Sequence, residues 1–451
     1  MNDTPFIFKR YAFNFDTAIL NLEYAFENGP AFEEKINFIK CNHILDLKDK
    51  AALDQCFKLL FLFAGVSYYK AYSPTTLKCE AFELDSVTAT FIEKVYRHGL
   101  GEFSYTNKID LSQRLQFLSS PTALPQPATK LNLQTHLLIP VGGGKDSIVT
   151  IETLKLTQKP LSLFALGTPS GIATPIIDTA AVSELPLVTV ERSLSPELFK
   201  LNKQGAYNGH IPITAILSTI AIASAILNGF NTVVMSNEHS ASAPNIHYNG
   251  LDINHQYSKS FEFERDFSHY VSTYISPDLH YFSFLRPLSE ANITRRFAKL
   301  NKYHSVFRSC NTAFRQDASL RGKHWCCNCP KCRFIFLALA PFLGKPQLIE
   351  IFGHNLLNDN TQYEGFAELC GLSAHKPFEC VGEIEESALL IQKLSTHTEW
   401  RNDAIVEKIG QQLNSQPSEQ LKFEERFQYL FAIKEPHHVP PDYLRMLCAD
   451  Q

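Results

Sequence analysis

The sequence predicts an α/β protein in which a parallel-sheet domain follows a β-rich α+β region and precedes a helical C-terminal region. Three observations predict it. From Thr135 onward, short apolar runs alternate with helical stretches, the pattern of a parallel sheet covered on both faces. Residues 1 to about 125 instead alternate large apolar and polar residues and break at Asn-Gly and Pro, as strands and hairpins do. Between them lies SSPTALPQPATK (Ser119–Lys130), three prolines among small residues, which reads as a linker. The expected domains are 1–125, 131–400 and a helical extension over 401–451.

Taken in order, FIFKRYAFNF, AILNLEYAFENG and FEEKINFIK read as strands, and DQCFKLLFLFAGVSYYKAY as a helix. After the linker, THLLIPV (Thr135–Val141) is a buried strand and KDSIVTIETLKL a helix. LSLFALG (Leu161–Gly167) is a strand, TPIIDTAAVSE a helix and LPLVTVE a strand. Ile211–Phe230 is a helix that runs into the strand NTVVMS (Asn231–Ser236). That helix is uncharged and nearly long enough to span a bilayer, but it carries Pro212, Thr214, Ser218, Thr219, Ser224 and Asn228 and lacks basic anchors. It reads as a core helix.

Charge and cysteine usage narrow the class. Lys+Arg at 42 against Asp+Glu at 46 gives −4, no electrostatic footprint for nucleic acid or an anionic membrane. The N-terminus MNDTPFIFKRYAFNF lacks a basic start before a long apolar stretch, so no secretory signal is expected. Of the 11 cysteines, four fall within Cys326–Cys332, a metal-binding pattern more than a disulfide framework. A cytoplasmic protein is expected.

The stretch IPVGGGKDS (residues 139–147) places three glycines where a strand turns into a helix. In parallel sheets ligands sit beyond the carboxyl ends of the strands. Gly142, Gly143 and Gly144 let backbone N–H groups approach an anion without Cβ interference, and the helix that follows adds its N-terminal dipole. Ser147 can donate a hydroxyl, Lys145 can supply charge and Asp146 can hold Mg²⁺. Neither the Gly-x-x-x-x-Gly-Lys-Ser/Thr nor the Gly-x-Gly-x-x-Gly pattern is present.

GGGKDS resembles the Ser-Gly-Gly-x-Asp-Ser loop of the N-type ATP pyrophosphatases, whose fold is adenine nucleotide α-hydrolase-like (HUP). Those enzymes split ATP into AMP and pyrophosphate while adenylating a carboxylate or carbonyl oxygen. Gly142 stands where that family usually has its first serine, so one hydroxyl donor is missing. The resemblance implies ATP phosphates at Gly142–Ser147, with Leu166 and Gly167 near the adenine and Ser236 and Asn237 at the end of the next strand.

SCNTAFRQDASLRGKHWCCNCPKCRF sets Cys310 upstream of Cys326, Cys329 and Cys332 at Cys-x-x-Cys-x-x-Cys spacing. Four soft thiolates suit a tetrahedral structural Zn²⁺ in an insertion spanning 310–332. An iron–sulfur cluster is the rival, but its usual bacterial run needs a further Cys and a flanking Pro. Cys327 is left without a role. A related cysteine pattern occurs in the 7-cyano-7-deazaguanine synthases of the same superfamily.

SNEHSASAPNIHYNGLDINHQYSKSFEFERDF (Ser236–Phe267) opens at a strand's carboxyl end and gathers Asn237, Glu238, His239, His247, Asp252, Asn254, His255, Tyr257 and Lys259. Glu238 could complete a Mg²⁺ site with Asp146. EIFGHNLLND (Glu350–Asp359) is expected to return a polar face to the same edge.

The ordered set of a β-rich start, PVGGGKDS, SNEHSAS, NHQYSKSFEFE, HWCCNCPKCRF and IFGHN resembles the UDP-N-acetyl-α-D-muramoyl-L-alanyl-L-glutamate epimerase family, MurL, over roughly residues 5–400. The resemblance implies ATP-dependent inversion of the terminal L-Glu of UDP-MurNAc-L-Ala-L-Glu to D-Glu. It also implies release of AMP and pyrophosphate, in peptidoglycan synthesis beside a MurD-type ligase that adds L-Glu. Adenylation cancels the carboxylate's charge and makes the carbonyl an electron sink, so that a general base can take the Cα proton. Glu238, His239 and His255 are the candidate bases. The runner-up is another adenylating enzyme of the superfamily, a deazaguanine nitrile synthase-like enzyme or an amide-forming ligase. A zinc-containing binding protein fits the glycine loop poorly.

Overall fold

A computed structural model describes residues 4–449 apart from 40–42, 112–113, 249, 316–317, 374–376 and 415–422. Its strands are β1 (Phe6–Asn14), β2 (Ile19–Phe26), β3 (Ala31–Ile39), β4 (Thr76–Cys79), β5 (Gln116–Leu118), β6 (Gln134–Pro140), β7 (Leu161–Gly167), β8 (Leu187–Ser193), β9 (Phe230–Met235), β10 (Ile246–Tyr248), β11 (Leu251–Ile253) and β12 (His280–Ser283). Ten of them form one sheet in the order β12-β9-β6-β7-β8-β3-β2-β1-β4-β5, and β10 and β11 form a small ribbon. From β12 to β8 neighbouring strands are parallel, and the apolar runs of β12, β9, β6 and β7 are buried as expected for a sheet with both faces covered, while Leu187 and Val188 of β8 are partly buried. The order of connection reverses between β6 and β9, which opens a crevice at their carboxyl ends.

The sheet does not stop at the proline-rich tract. β3 pairs antiparallel with β8, Lys35 opposite Ser193 through Ile39 opposite Thr189. The N-terminal strands thus extend the parallel sheet and share a core with it; the change at 119–130 is one of sequence character. An uncovered β8 would expose a row of unpaired backbone groups, and β3 removes that edge. A buried cluster seals the seam. Arg192 Nε donates to Glu34 Oε1 at 2.7 Å and Nη2 to Oε2 at 3.1 Å, while Tyr68 Oη donates to Oε2 at 2.8 Å. Arg192 Nη2 also reaches Ser67 Oγ at 2.9 Å. Glu34 is fully buried. Replacing Glu34 with Ala strands a buried guanidinium, so urea unfolding should show a loss of about 3–5 kcal/mol. A loss below ~1 kcal/mol would mean the cluster does not hold the seam.

One face of the sheet is packed by the helices Leu47–Ala64 and Ile213–Asn228, which contact each other; Lys145–Lys155 and Glu290–Ala298 belong to the core of the other face. The first begins with a capping box, Asp46 accepting from the Asp49 N–H and Asp49 from the Asp46 N–H, each at 2.9 Å. The stretch Leu47–Tyr69 is long and apolar enough to cross a membrane, and 78% of its apolar window is buried inside the protein. Ile213–Asn228 is almost wholly buried, as its small and β-branched residues led us to expect. The C-terminal region carries the helices Ala404–Leu413, Phe423–Tyr429 and Pro441–Cys448; the expected extension at 415–422 and 450–451 lies outside the described residues.

Candidate active site

A cavity of about 380 Å³ lies at the carboxyl ends of β6, β7 and β9. Pro140 and Val141 lead from β6 into it, Phe164 and Leu166 come from β7, and Met235 and Ser236 from β9. Gly142, Gly144, Lys145, Asp146, Ser147, Leu166, Ser236, Asn237 and Glu238, all picked from the sequence, line it together.

The glycines divide the work. A Cβ on Gly142 would meet nothing within 4 Å, so this position leaves open space in the cavity. Gly143 has φ +72°, and a Cβ there would lie 2.8 Å from the Pro175 carbonyl carbon; its own carbonyl accepts the Arg308 N–H at 2.8 Å. Gly143 therefore shapes the turn and does not line the cavity. Gly144 is the N-cap of the helix Lys145–Lys155 and caps it with no side chain. The helix's first N–H groups thus lack a side-chain acceptor, which suits an anion. Gly167 also lies outside the cavity lining, its missing Cβ making room for Ile172 at 2.9 Å.

Lys145 differs from expectation. Its ammonium group, 1% exposed, is clamped by the carboxylates of Asp146 and Glu290. Burial opposes the charge, but Asp146 and Glu290 outweigh it and keep the lysine protonated well above its usual range. Lys145 is therefore already engaged by two carboxylates, whose charge it offsets in part, before any phosphate arrives. Burial pushes Glu290 upward, with Lys145 pulling the other way. Asp146 keeps one third of its side chain exposed. Asp146, Glu238 and Glu290 supply hard oxygen donors of the kind Mg²⁺ takes. Ser236 Oγ is buried with no hydrogen-bond partner.

Glu238 and Lys259 are held by one side chain. Buried Arg286 pairs with Glu264, Nε at 3.1 Å and Nη2 at 2.9 Å from Oε2. Its Nη1 donates to the Glu238 carbonyl at 2.6 Å and its Nη2 to the Lys259 carbonyl. Arg286 sits outside every motif read from the sequence; a charged residue just past an apolar strand was its only signal.

The three candidate bases separate. Glu238 lines the cavity. His239 does not: it starts a short turn whose N–H bonds the Leu288 carbonyl at 3.1 Å, and it lines a different cavity of about 530 Å³ with Glu383, Glu386 and Lys434. Burial, and then Lys434, push its pKa down. His239, one of the three candidate bases, thus stands outside the cavity that holds the glycine loop. His255 lies behind the lining, hydrogen-bonded to Glu102 through Nδ1, with Cys380 near enough to raise its pKa. Glu350 faces another cavity, with Arg308, Lys323 and His324, and His354 pairs with Asp359 at 3.1 Å, so EIFGHNLLND does not return to this edge.

Cys310, Cys326, Cys329 and Cys332 converge, with all four Sγ atoms within 4.8 Å of one another. Cys332 Sγ lies 3.6 Å from that of Cys326 and 3.5 Å from that of Cys329. Tetrahedral Zn–S bonds of about 2.3 Å require sulfur separations of ~3.8 Å, so the set fits zinc closely. Cys327, with φ +55°, turns away and donates to the Phe352 carbonyl at 3.3 Å. The cluster adjoins the cavity, since Arg308, Ser309, Phe314 and Lys331, neighbours of its cysteines in sequence, line it.

A family model described as the MurL N-terminal domain matches residues 2–284, and one described as the MurL C-terminal domain matches residues 306–424. A UDP-N-acetyl-alpha-D-muramoyl-L-alanyl-L-glutamate epimerase of Xanthomonas oryzae pv. oryzae is 41% identical over 97% of this chain and 95% of its own. Enzymes of the same name from Micromonospora sp. and Salinispora tropica are 40% and 39% identical, over 88% and 89% of this chain and 86% and 87% of their own. A solved NAD+ synthetase from Burkholderia pseudomallei overlaps 66% of this chain and 93% of its own at 12% identity and a TM-score of 0.22, a likeness too slight to bear on the fold. With both domains matched in order and the cavity-lining motifs inside them, this chain belongs to the MurL family.

Proposed function

We propose that this chain inverts the terminal L-Glu of UDP-MurNAc-L-Ala-L-Glu to D-Glu, using ATP and Mg²⁺. The observation that carries the reading is the single cavity that unites an uncapped helix N-terminus, Asp146, Glu238 and the unpartnered Ser236 hydroxyl, in a chain 41% identical to an enzyme of that name. ATP would convert the terminal carboxylate to an acyl-adenylate, releasing pyrophosphate and making Cα acidic; after inversion, water would hydrolyse the acyl-adenylate to the D-Glu carboxylate and AMP. The backbone N–H groups at Gly144–Ser147 would receive phosphate oxygens, and Leu166 would pack against the base. Asp146, with Glu238 in reach, would hold Mg²⁺ on the phosphates. Lys145 would keep Asp146 and Glu290 from repelling them. A structural Zn²⁺ on Cys310, Cys326, Cys329 and Cys332 would fix Arg308, Ser309 and Lys331 at the rim. The reaction would place the protein in the cytoplasm, downstream of a MurD-type ligase that adds L-Glu.

Incubation with ATP, Mg²⁺ and UDP-MurNAc-L-Ala-L-Glu in D₂O tests this. The recovered glutamate should be largely D with deuterium at Cα, and AMP should form. Without ATP it should stay L and protiated. D-Glu formed without ATP would rule out carboxylate activation. AMP formed on a deazapurine carboxylate, with no inversion of glutamate, would favour another adenylating activity. His239→Ala should retain deuterium incorporated per AMP within about threefold, since it lines a different cavity.

A further inference from the structure

The cavity also exposes a thiol that the reaction above leaves unused. Cys380 lines it together with Gly142, Asp146 and Glu238. Lys259 Nζ donates to Cys380 Sγ at 3.3 Å, and the His255 ring stands close enough to favour the thiolate electrostatically. His255 is anchored in turn by Glu102 at Nδ1. Neither His255 nor Glu102 lines the cavity, so the pair bears on it through Cys380. His210 completes the cluster, its ring centroid 4.3 Å from that of His255 and its Nδ1 3.8 Å from Glu102.

The charges in this cluster are ordered. Burial works against a thiolate at Cys380, but Lys259, then His255 and Lys331, outweigh it and bring the thiol down to about 6. Burial also works against an imidazolium at His255, yet Cys380 and Glu102 hold it at about 9. Burial, and then the charge on His255, push His210 down to about 4, so the proton resides on His255. A buried thiol without such neighbours goes the other way: burial alone raises Cys370 to about 12. Near neutral pH the cavity wall therefore carries a thiolate near the cations of Lys259, His255 and Lys331.

Inversion at Cα needs proton transfer on both faces of the carbon. We propose that Cys380 is one of the groups that moves the Cα proton, with His255 and Glu102 as positioning residues; this rests on the epimerase reading above. The thiolate accepts the Cα proton and becomes a thiol, and the C–H electron pair enters the activated acyl group as an enolate. A cavity water delivers a proton to the opposite face, where the enolate pair forms the new C–H bond. The hydroxide left behind is neutralised when the Cys380 thiol releases its proton to solvent, which restores the thiolate.

The test uses the full-length, zinc-loaded protein with ATP, Mg²⁺ and UDP-MurNAc-L-Ala-L-Glu in D₂O. In Cys380→Ala the deuterium incorporated at Cα per AMP formed should fall at least about 100-fold against wild type. A ratio within tenfold of wild type would overturn the role of Cys380 alone. Wild-type protein that forms no AMP would instead sink the epimerase reading itself. A second measurement does not depend on turnover. Iodoacetamide labelling of wild-type Cys380, followed by peptide mass mapping across pH, should rise with a midpoint near 6. In His255→Asn that midpoint should climb toward the ordinary thiol value of about 8.5. A wild-type midpoint already at the ordinary value would refute the thiolate.

Discussion

Asp146→Ala should lower ATP-dependent AMP formation by at least about 10²–10³-fold while the protein stays folded. Asp146 is partly exposed to the cavity, and its loss leaves Lys145 still paired with Glu290 as a neutral buried couple. No charge is stranded, so the thermal midpoint should move little. Asp146→Asn keeps the volume and removes only the charge, and it should behave like the alanine variant if the carboxylate serves Mg²⁺. AMP formation near the wild-type rate in both variants would show that the glycine loop binds something other than ATP phosphates. Glu290→Gln makes a useful contrast, because it too leaves Lys145 one carboxylate.

Metal analysis should find about one zinc per chain, and Cys329→Ser should lose it together with much of the stability of the C-terminal half. Structural zinc contributes about 10 kcal/mol or more to the folding of small sites, and part of that should appear here. Cys329 caps the helix Pro330–Leu339, and Cys332 lies in its first turn, so the site is built into a buried core helix. The effect should reach the cavity. Arg308, two residues before Cys310, donates its N–H to the Gly143 carbonyl, and Ser309 Oγ occupies the space beside Gly144. The remaining folded fraction should therefore need more ATP for half-maximal AMP formation. A metal-free variant of equal stability would refute the assignment.

The sequence by itself determined the parts of this protein whose chemistry is local. Three glycines between a buried strand and a helix let backbone N–H groups approach a ligand closely, and the structure puts Gly142 and Gly144 in the cavity. The thiols of Cys326, Cys329 and Cys332 lie so close in the chain that their spacing alone predicts convergence, with Cys310 joining them. The apolar runs of β6, β7 and β9 likewise announce a buried parallel sheet. What only the tertiary structure decided depends on residues far apart in the chain. The pairing of β3 with β8 merges two regions of different sequence character into one sheet, because the edge of β8 needed a partner. Neighbouring Glu238 and His239 face different cavities, a separation set by the backbone turn between them. Cys380 drew no attention in the sequence as a single cysteine near a proline. Its low pKa comes from Lys259, His255 and Lys331, with Glu102 anchoring His255, and electrostatic neighbours of that kind exist only once the chain has folded in a low-dielectric interior.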